Sequence, residues 1–148
     1  WQWLAPSVAA ALLFFAVLGY NQPSMQQSLP NTDYVAVLTD NTGVATLTAL
    51  TTADNKNMWL KWENITLKED TNLQLWAISK RDGETRPIAV FENTSTAQLA
   101  LDEAEWRLVT DSSFLLLTEE EVGGSAIDEP SEVLLAKGAC VRFSEPKT

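Results

Sequence analysis

The run Leu73-Gln74-Leu75-Trp76-Ala77-Ile78-Ser79, closed by Arg81-Asp82-Gly83-Glu84, decides the fold class. Leu73, Leu75 and Ala77 alternate with Gln74, Trp76 and Ile78, so side chains repeat every two residues and both resulting faces are largely apolar. A strand of this kind is covered on both sides, or lies under a loop. Asp82-Gly83 then predicts a hairpin, because a type I′ turn needs positive φ at both central residues.

Outward from this strand the same grammar repeats. YVAVLT (34–39), GVATLTAL (43–50) and MWLKWEN (58–64) precede it. PIAVFE (87–92), TAQLAL (96–101), WRLVT (106–110), FLLLTE (114–119), EVLLAKG (132–138) and ACVRF (139–143) follow it. In the 58–63 run, Met58, Leu60 and Trp62 share one face, while Lys61 and Glu63 share the other with Trp59. Turn signals separate the runs at 40–43, 55–57 and 122–125, and LDEAEW (101–106) reads as a single helical turn. The expected architecture is mainly β: an antiparallel two-sheet β-sandwich of about 8–10 short strands over 34–148. A domain of that size buries enough apolar surface to fold without staples.

The first thirty residues follow a different pattern. No charge appears before Asp33, and WLAPSVAAALLFFAVLGY (3–20) is almost unbroken apolar sequence. As a helix it would reach about 27 Å, close to the roughly 30 Å of a hydrocarbon core. Trp1, Trp3 and Tyr20 stand where an aromatic belt would put them, and Pro6 falls in the first turn. A cleaved signal peptide would carry a basic start and an A-x-A-like site, neither of which is present. Residues 1–20 are therefore expected to form one transmembrane helix, with membrane lipid as its partner through 3–20. Residues 21–33 (NQPSMQQSLPNTD) read as a linker or stalk. No Lys or Arg follows the span until Lys56, which places the β domain on the non-cytoplasmic side. The chain opens at Trp1 without a methionine, so further sequence upstream is expected.

Composition narrows the function classes. The 148 residues carry 10 Lys+Arg against 20 Asp+Glu, for a net charge of −10. No nucleic-acid partner is expected, since binding there requires a basic stripe that releases counterions. With no His and one Cys, the His-dependent triads, most zinc sites and any internal disulfide are excluded. Ser112, Ser113 and Ser125 thus have no histidine to act as base, and the chain is read as a non-enzyme.

Several groups still merit inspection. Glu119, Glu120, Glu121, Asp128, Glu129 and Glu132 flank Gly123-Gly124 and could in principle surround a hard cation, or pair for acid–base work on a sugar. The EF-hand spacing is absent, and an acidic loop is ordinarily just solvated. Trp59, Trp62, Trp76 and Trp106 could make a carbohydrate platform, although strand tryptophans usually belong to a core. Cys140 lies near Arg142, a cation able to lower a thiol pKa, although a lone cysteine is commonly a small buried hydrophobe. Asn64-Ile65-Thr66 and Asn93-Thr94-Ser95 have the form of glycosylation sequons. The structural reading prevails at each, so no catalytic, cofactor-binding or metal residue and no cofactor is assigned. A ligand surface, if present, is expected at the loops around Asp82-Gly83 and Gly123-Gly124.

Three blocks carry a family resemblance. Leu73-Gln74-Leu75-Trp76-Ala77-Ile78 followed by Asp82-Gly83 and Pro87-Ile88-Ala89-Val90-Phe91, then Glu120-Glu121-Val122-Gly123-Gly124-Ser125, then Glu129 to Gly138 (EPSEVLLAKG), resemble in order and spacing the anti-sigma-K factor family over 34–143. Glu121 and Glu132 stand where that family usually has proline. The resemblance implies an extracytoplasmic C-terminal domain behind one membrane helix in the bacterial inner membrane. It also implies a sigma factor held by a cytoplasmic part not present in this chain, and released by regulated proteolysis. The stalk at 21–33 would take the first cut and the Ala-rich span the second. The alternative is a single-pass accessory subunit of a larger membrane complex, held by its helix against other membrane subunits; less favoured is a carbohydrate-binding module.

Overall fold

The protein is described by a computed structural model over residues 32–92 and 94–143. The expected helix at 1–20 and all of the linker before Thr32 lie outside the described residues. Among the described residues, no helix is long and apolar enough to cross a membrane.

Among the described residues eight strands follow one another: β1 (Tyr34–Thr39), β2 (Ala45–Thr52), β3 (Asn57–Trp62), β4 (Thr71–Ser79), β5 (Thr85–Phe91), β6 (Thr96–Ala100), β7 (Ser112–Glu121) and β8 (Leu134–Arg142). One helix, α1 (Glu103–Thr110), lies between β6 and β7. All pairings are antiparallel, in the order β5-β4-β7-β8-β1-β2-β3-β6.

This overturns the expected two-sheet sandwich: there is one sheet, nearly closed into a barrel. The reason lies in β8. The runs at 132–138 and 139–143 form one strand, which pairs through Leu134–Ala139 with β7 and through Lys137–Arg142 with β1. The strands a sandwich would divide between layers are therefore hydrogen-bonded into one surface. Gly138 permits this crossing, because a Cβ there would meet the Val37 carbonyl oxygen at 2.1 Å. Closure then brings opposite ends of the strand order together. Trp62 on β3 meets Phe91 on β5 with ring centroids 5.7 Å apart.

Alternation fills the interior. Leu73, Leu75, Leu115, Leu117, Leu38, Leu47, Met58 and Leu60, from five strands, belong to one buried cluster. Trp76 is fully buried yet stands outside that cluster, on the outer face of β4. Residues 73–77 are all buried, as the two-faced apolar pattern of this strand led one to expect.

A second correction concerns 101–110, read as a helical turn followed by a strand. The segment is instead one eight-residue helix. Asp102 accepts from the N–H groups of Ala104 (2.7 Å) and Glu105 (2.8 Å), and Glu105 accepts from the Asp102 N–H at 2.7 Å. This reciprocal cap satisfies the orphan donors of the first turn and outweighs the β preference of Trp106, Val109 and Thr110.

Candidate functional site

The strand registers put the loops at two ends. The chain enters the barrel at Asp33, and that end also carries the β4–β5 hairpin and α1; the far end carries the loops at 40–44, 63–70, 92–95 and 122–133.

At the far end lie the Gly123-Gly124 loop and most of the acidic group. Gly123 donates its N–H to Asn72 Oδ1 (2.8 Å) and Ser125 to Gln74 Oε1 (2.7 Å), which docks the loop on the outer face of β4. Gly124 has φ +91°, and a Cβ there would come within 2.6 Å of both Gln74 Oε1 and Val90 Cγ2. Glu120 is buried and accepts from the Ser131 N–H (2.8 Å) and the Thr118 hydroxyl. The Trp76 indole N–H donates to Thr118 Oγ1 at 2.8 Å, so tryptophan, threonine, glutamate and loop form one continuous chain of bonds. Glu119 accepts from the Lys68 N–H (2.7 Å) and the Thr71 hydroxyl (2.8 Å); these bonds hold its carboxyl below the ordinary carboxylate range despite the cost of burial. Glu121, Asp128, Glu129 and Glu132 are exposed. No group of three or more acidic, Cys or His side chains among the described residues is arranged to hold a metal. This loop is a fastening.

The other sequence candidates separate in space. Trp59 faces outward opposite Leu50, Trp62 faces inward, Trp76 lies on the outer face of β4, and Trp106 on α1 meets Tyr34 edge-on at 5.8 Å; no platform forms. Burial pushes the Cys140 thiol up rather than down, while Arg142 sits over the Tyr34 ring. Ser112 and Ser113 donate to the Val109 and Ile78 carbonyls, and Ser125 Oγ accepts from the Ile127 N–H. Asn64 is exposed, and Asn93 lies outside the described residues.

The entry end holds a different arrangement. The hairpin loop spans 80–83, closed by the Ser79 N–H donating to the Glu84 carbonyl at 2.9 Å. Only Gly83 takes positive φ (+74°), so the turn is not the expected type I′. Asp82 accepts from the Glu84 N–H and from both Nη atoms of Arg86, at 3.2 and 2.8 Å. That guanidinium holds the Asp82 carboxyl far below its usual range and raises its own pKa in return. Arg86 lies opposite Ala77 on the inward side of the sheet, so its head group stands in the mouth of the barrel.

That mouth is a cavity of about 190 Å³ lined by Ala77, Ser79, Arg81, Asp82, Arg86, Arg107, Leu108 and Asp111. Arg81 Nε pairs with Asp111 Oδ2 at 2.6 Å, and Arg107 Nε with Glu103 Oε1 at 3.3 Å. Three guanidiniums thus face one small space in a protein of net charge −10. Sequence reading reached the hairpin but missed this convergence. Arg107 lies in the segment read as a strand, and the only local hint was the four-residue spacing of Asp82 and Arg86.

Comparison with known families agrees with the resemblance. The chain matches the family described as anti-sigma-K factor RskA, C-terminal, over residues 5–133. The match takes in most of the apolar segment and strands β1 to β7, and it stops short of β8. No curated protein and no solved structure matches the chain. The chain belongs to the anti-sigma-K factor C-terminal domain family, a regulatory rather than catalytic domain associated with the extracytoplasmic side.

Proposed function

We propose that this chain is the membrane-anchored, extracytoplasmic part of an anti-sigma factor, and that it controls sigma-factor release by regulated proteolysis. The observation that carries the reading is the family match, which takes in most of the apolar segment together with strands β1 to β7. In this reading residues 1–20 cross the inner membrane once, 21–33 are the stalk, and 34–148 form the outer domain.

The barrel fastens the root of that stalk. Asp33 donates its N–H to the Thr51 carbonyl (2.8 Å), accepts from the Ala53 N–H through Oδ2 (2.6 Å), and accepts from the Phe143 N–H through its carbonyl (2.7 Å). A cut upstream of Asp33 therefore severs the tether while leaving every strand pairing intact. Sigma binding itself belongs to sequence beyond these 148 residues.

Intact mass and N-terminal sequencing of the protein from its native membrane, followed by capture of bound sigma factor, test the proposal. Tens of residues of helix-forming sequence ahead of Trp1, with a sigma factor bound, are expected. A native chain beginning at Trp1 with no sigma factor contradicts the reading.

One feature favours the second reading, an accessory subunit of a membrane complex. Val141, Val35, Leu50 and Trp59 are register neighbours across the outer face of β8, β1, β2 and β3, and Val37 and Val141 are 46% and 58% exposed. Co-purification of a fixed set of membrane subunits in equal amounts is its expected mark.

A further inference from the structure

We infer that the barrel mouth between the β4–β5 hairpin and α1 is a binding site for a small phosphate-type oxyanion, with Arg81 and Arg107 as its ligating residues. Arg86 is already committed: both its Nη atoms bond Asp82, and Nη2 also bonds Glu84 at 2.8 Å. It is the hairpin's fastening. Arg81 and Arg107 are each held by Nε alone, the first to Asp111 and the second to Glu103. Their Nη edges are the donors left over, and a planar pair of N–H groups matches the oxygen spacing of phosphate.

The surroundings agree with such a ligand. Asp82 and Asp111 line the cavity, each paired with an arginine, while Glu84 and Glu103 pair with Arg86 and Arg107 from outside the lining. The Ser79 hydroxyl oxygen accepts from the Arg81 N–H at 3.1 Å. Ala77 and Leu108 supply an apolar floor. About 190 Å³ is small beside the roughly 300–1,000 Å³ of pockets for drug-sized ligands, so a single anionic group is the natural occupant. The dipole of α1 opposes an anion, since its C-terminal half faces the cavity, but two guanidinium forks outweigh a half-charge screened by solvent.

The placement gives the site a reach beyond itself. α1 contributes Arg107 and Leu108 to the cavity, while its neighbouring Trp106 packs on Tyr34, one residue from the stalk root at Asp33. An oxyanion held by Arg107 therefore bears on the helix that braces the stalk. This link to the stalk rests on the proteolytic reading; the binding does not.

Phosphate reaches an extracytoplasmic site either free or as a lipid headgroup, and the experiment separates the two. The full chain in neutral micelles, labelled at the arginine side chains with 15N, is titrated with inorganic phosphate against chloride at constant ionic strength. A second titration adds phosphatidylglycerol to the micelles without phosphate. Saturable shifts of the Arg81 and Arg107 Nε signals are expected. Affinity should fall by about tenfold or more in R81Q/R107Q and hold in R142Q, a cation at the same end outside the cavity. R81K/R107K keeps the charge but removes the fork, and should also bind more weakly, which covers the case in which the glutamine pair fails to fold. Response to phosphate identifies a soluble ligand, and response to phosphatidylglycerol alone identifies a headgroup. Absence of saturation in both titrations, unchanged affinity in the folded double variants, or an equal loss in R142Q would overturn the site.

Discussion

The two ends of the barrel use charge in opposite ways. At the far end two carboxylates are buried and satisfied by the chain itself: Glu119 accepts from Lys68 and Thr71 ahead of β4, and Glu120 accepts from Ser131 in the loop before β8. At the entry end arginines outnumber carboxylates in a mouth that stays open, and two of them keep N–H edges to spare. Lys56, Lys80, Arg81, Arg86, Arg107 and Arg142 lie at this end among Asp33, Asp54, Asp82, Glu84, Asp102, Glu103, Glu105 and Asp111, whereas at the other end Glu63, Glu69, Asp70 and the 119–132 acids face only Lys61 and Lys68 among the described residues. One nearly closed sheet thus gives a locked cap and an accessible mouth. The lesson is that a buried, fully bonded charge marks structure, and a partly committed one in a cavity marks a site.

The comparison can be broken first where it predicts the most. Trp76→Ala removes the aromatic under the far-end loop and should cost about 3–5 kcal/mol in urea unfolding, with faster hydrogen exchange at 123–131. A cost below about 1 kcal/mol would mean that this end is not locked. Gly124→Ala forces a Cβ against Gln74 and Val90 in a left-handed conformation, for an expected loss of about 1–3 kcal/mol. At the entry end, Gly83→Val should lower stability by about 1–2 kcal/mol, because a β-branched residue resists φ near +74°. An unchanged Tm would remove the turn assignment.

Acid titration sharpens the contrast. The folded-state pKa of Glu119 lies below its ordinary value of 4.5, so the carboxylate stabilises the fold above that pH and loses its contribution as pH falls through the depressed value. Glu119→Gln should lower Tm by about 4–8 °C at neutral pH, roughly one charge-assisted hydrogen bond, and flatten the acid limb of the Tm profile. The smallest thermal effect belongs to the mouth. R81Q/R107Q should move Tm by less than about 2 °C, since both side chains are mostly exposed and such pairs contribute little.

Much of this was legible locally. The alternation in 34–39, 58–62 and 73–79 placed β1, β3 and β4, and the doubly apolar 73–78 run correctly required cover on both faces. Closure was not legible, because it depends on β8 pairing with both β7 and β1 and on the space beside Gly138, which are matters of distant register. The Asp102…Glu105 capping box was in plain sight, but the β-type residues after it hid the helix and with it Arg107. Arginines separated by some twenty residues carry no local period, so their meeting in one mouth needed coordinates. Nothing in the acidic run distinguished buried Glu119 and Glu120 from exposed Glu129 and Glu132.

Cysteine labelling in intact bacteria tests the central claim most directly. Cys140 is the one cysteine of these 148 residues, and Ile127 is 74% exposed at the far end. With Cys140→Ala as background, I127C should react with a membrane-impermeant maleimide in cells whose inner membrane is sealed, as an extracytoplasmic barrel requires. Labelling only after that membrane is permeabilised would put the barrel on the cytoplasmic side and contradict the account.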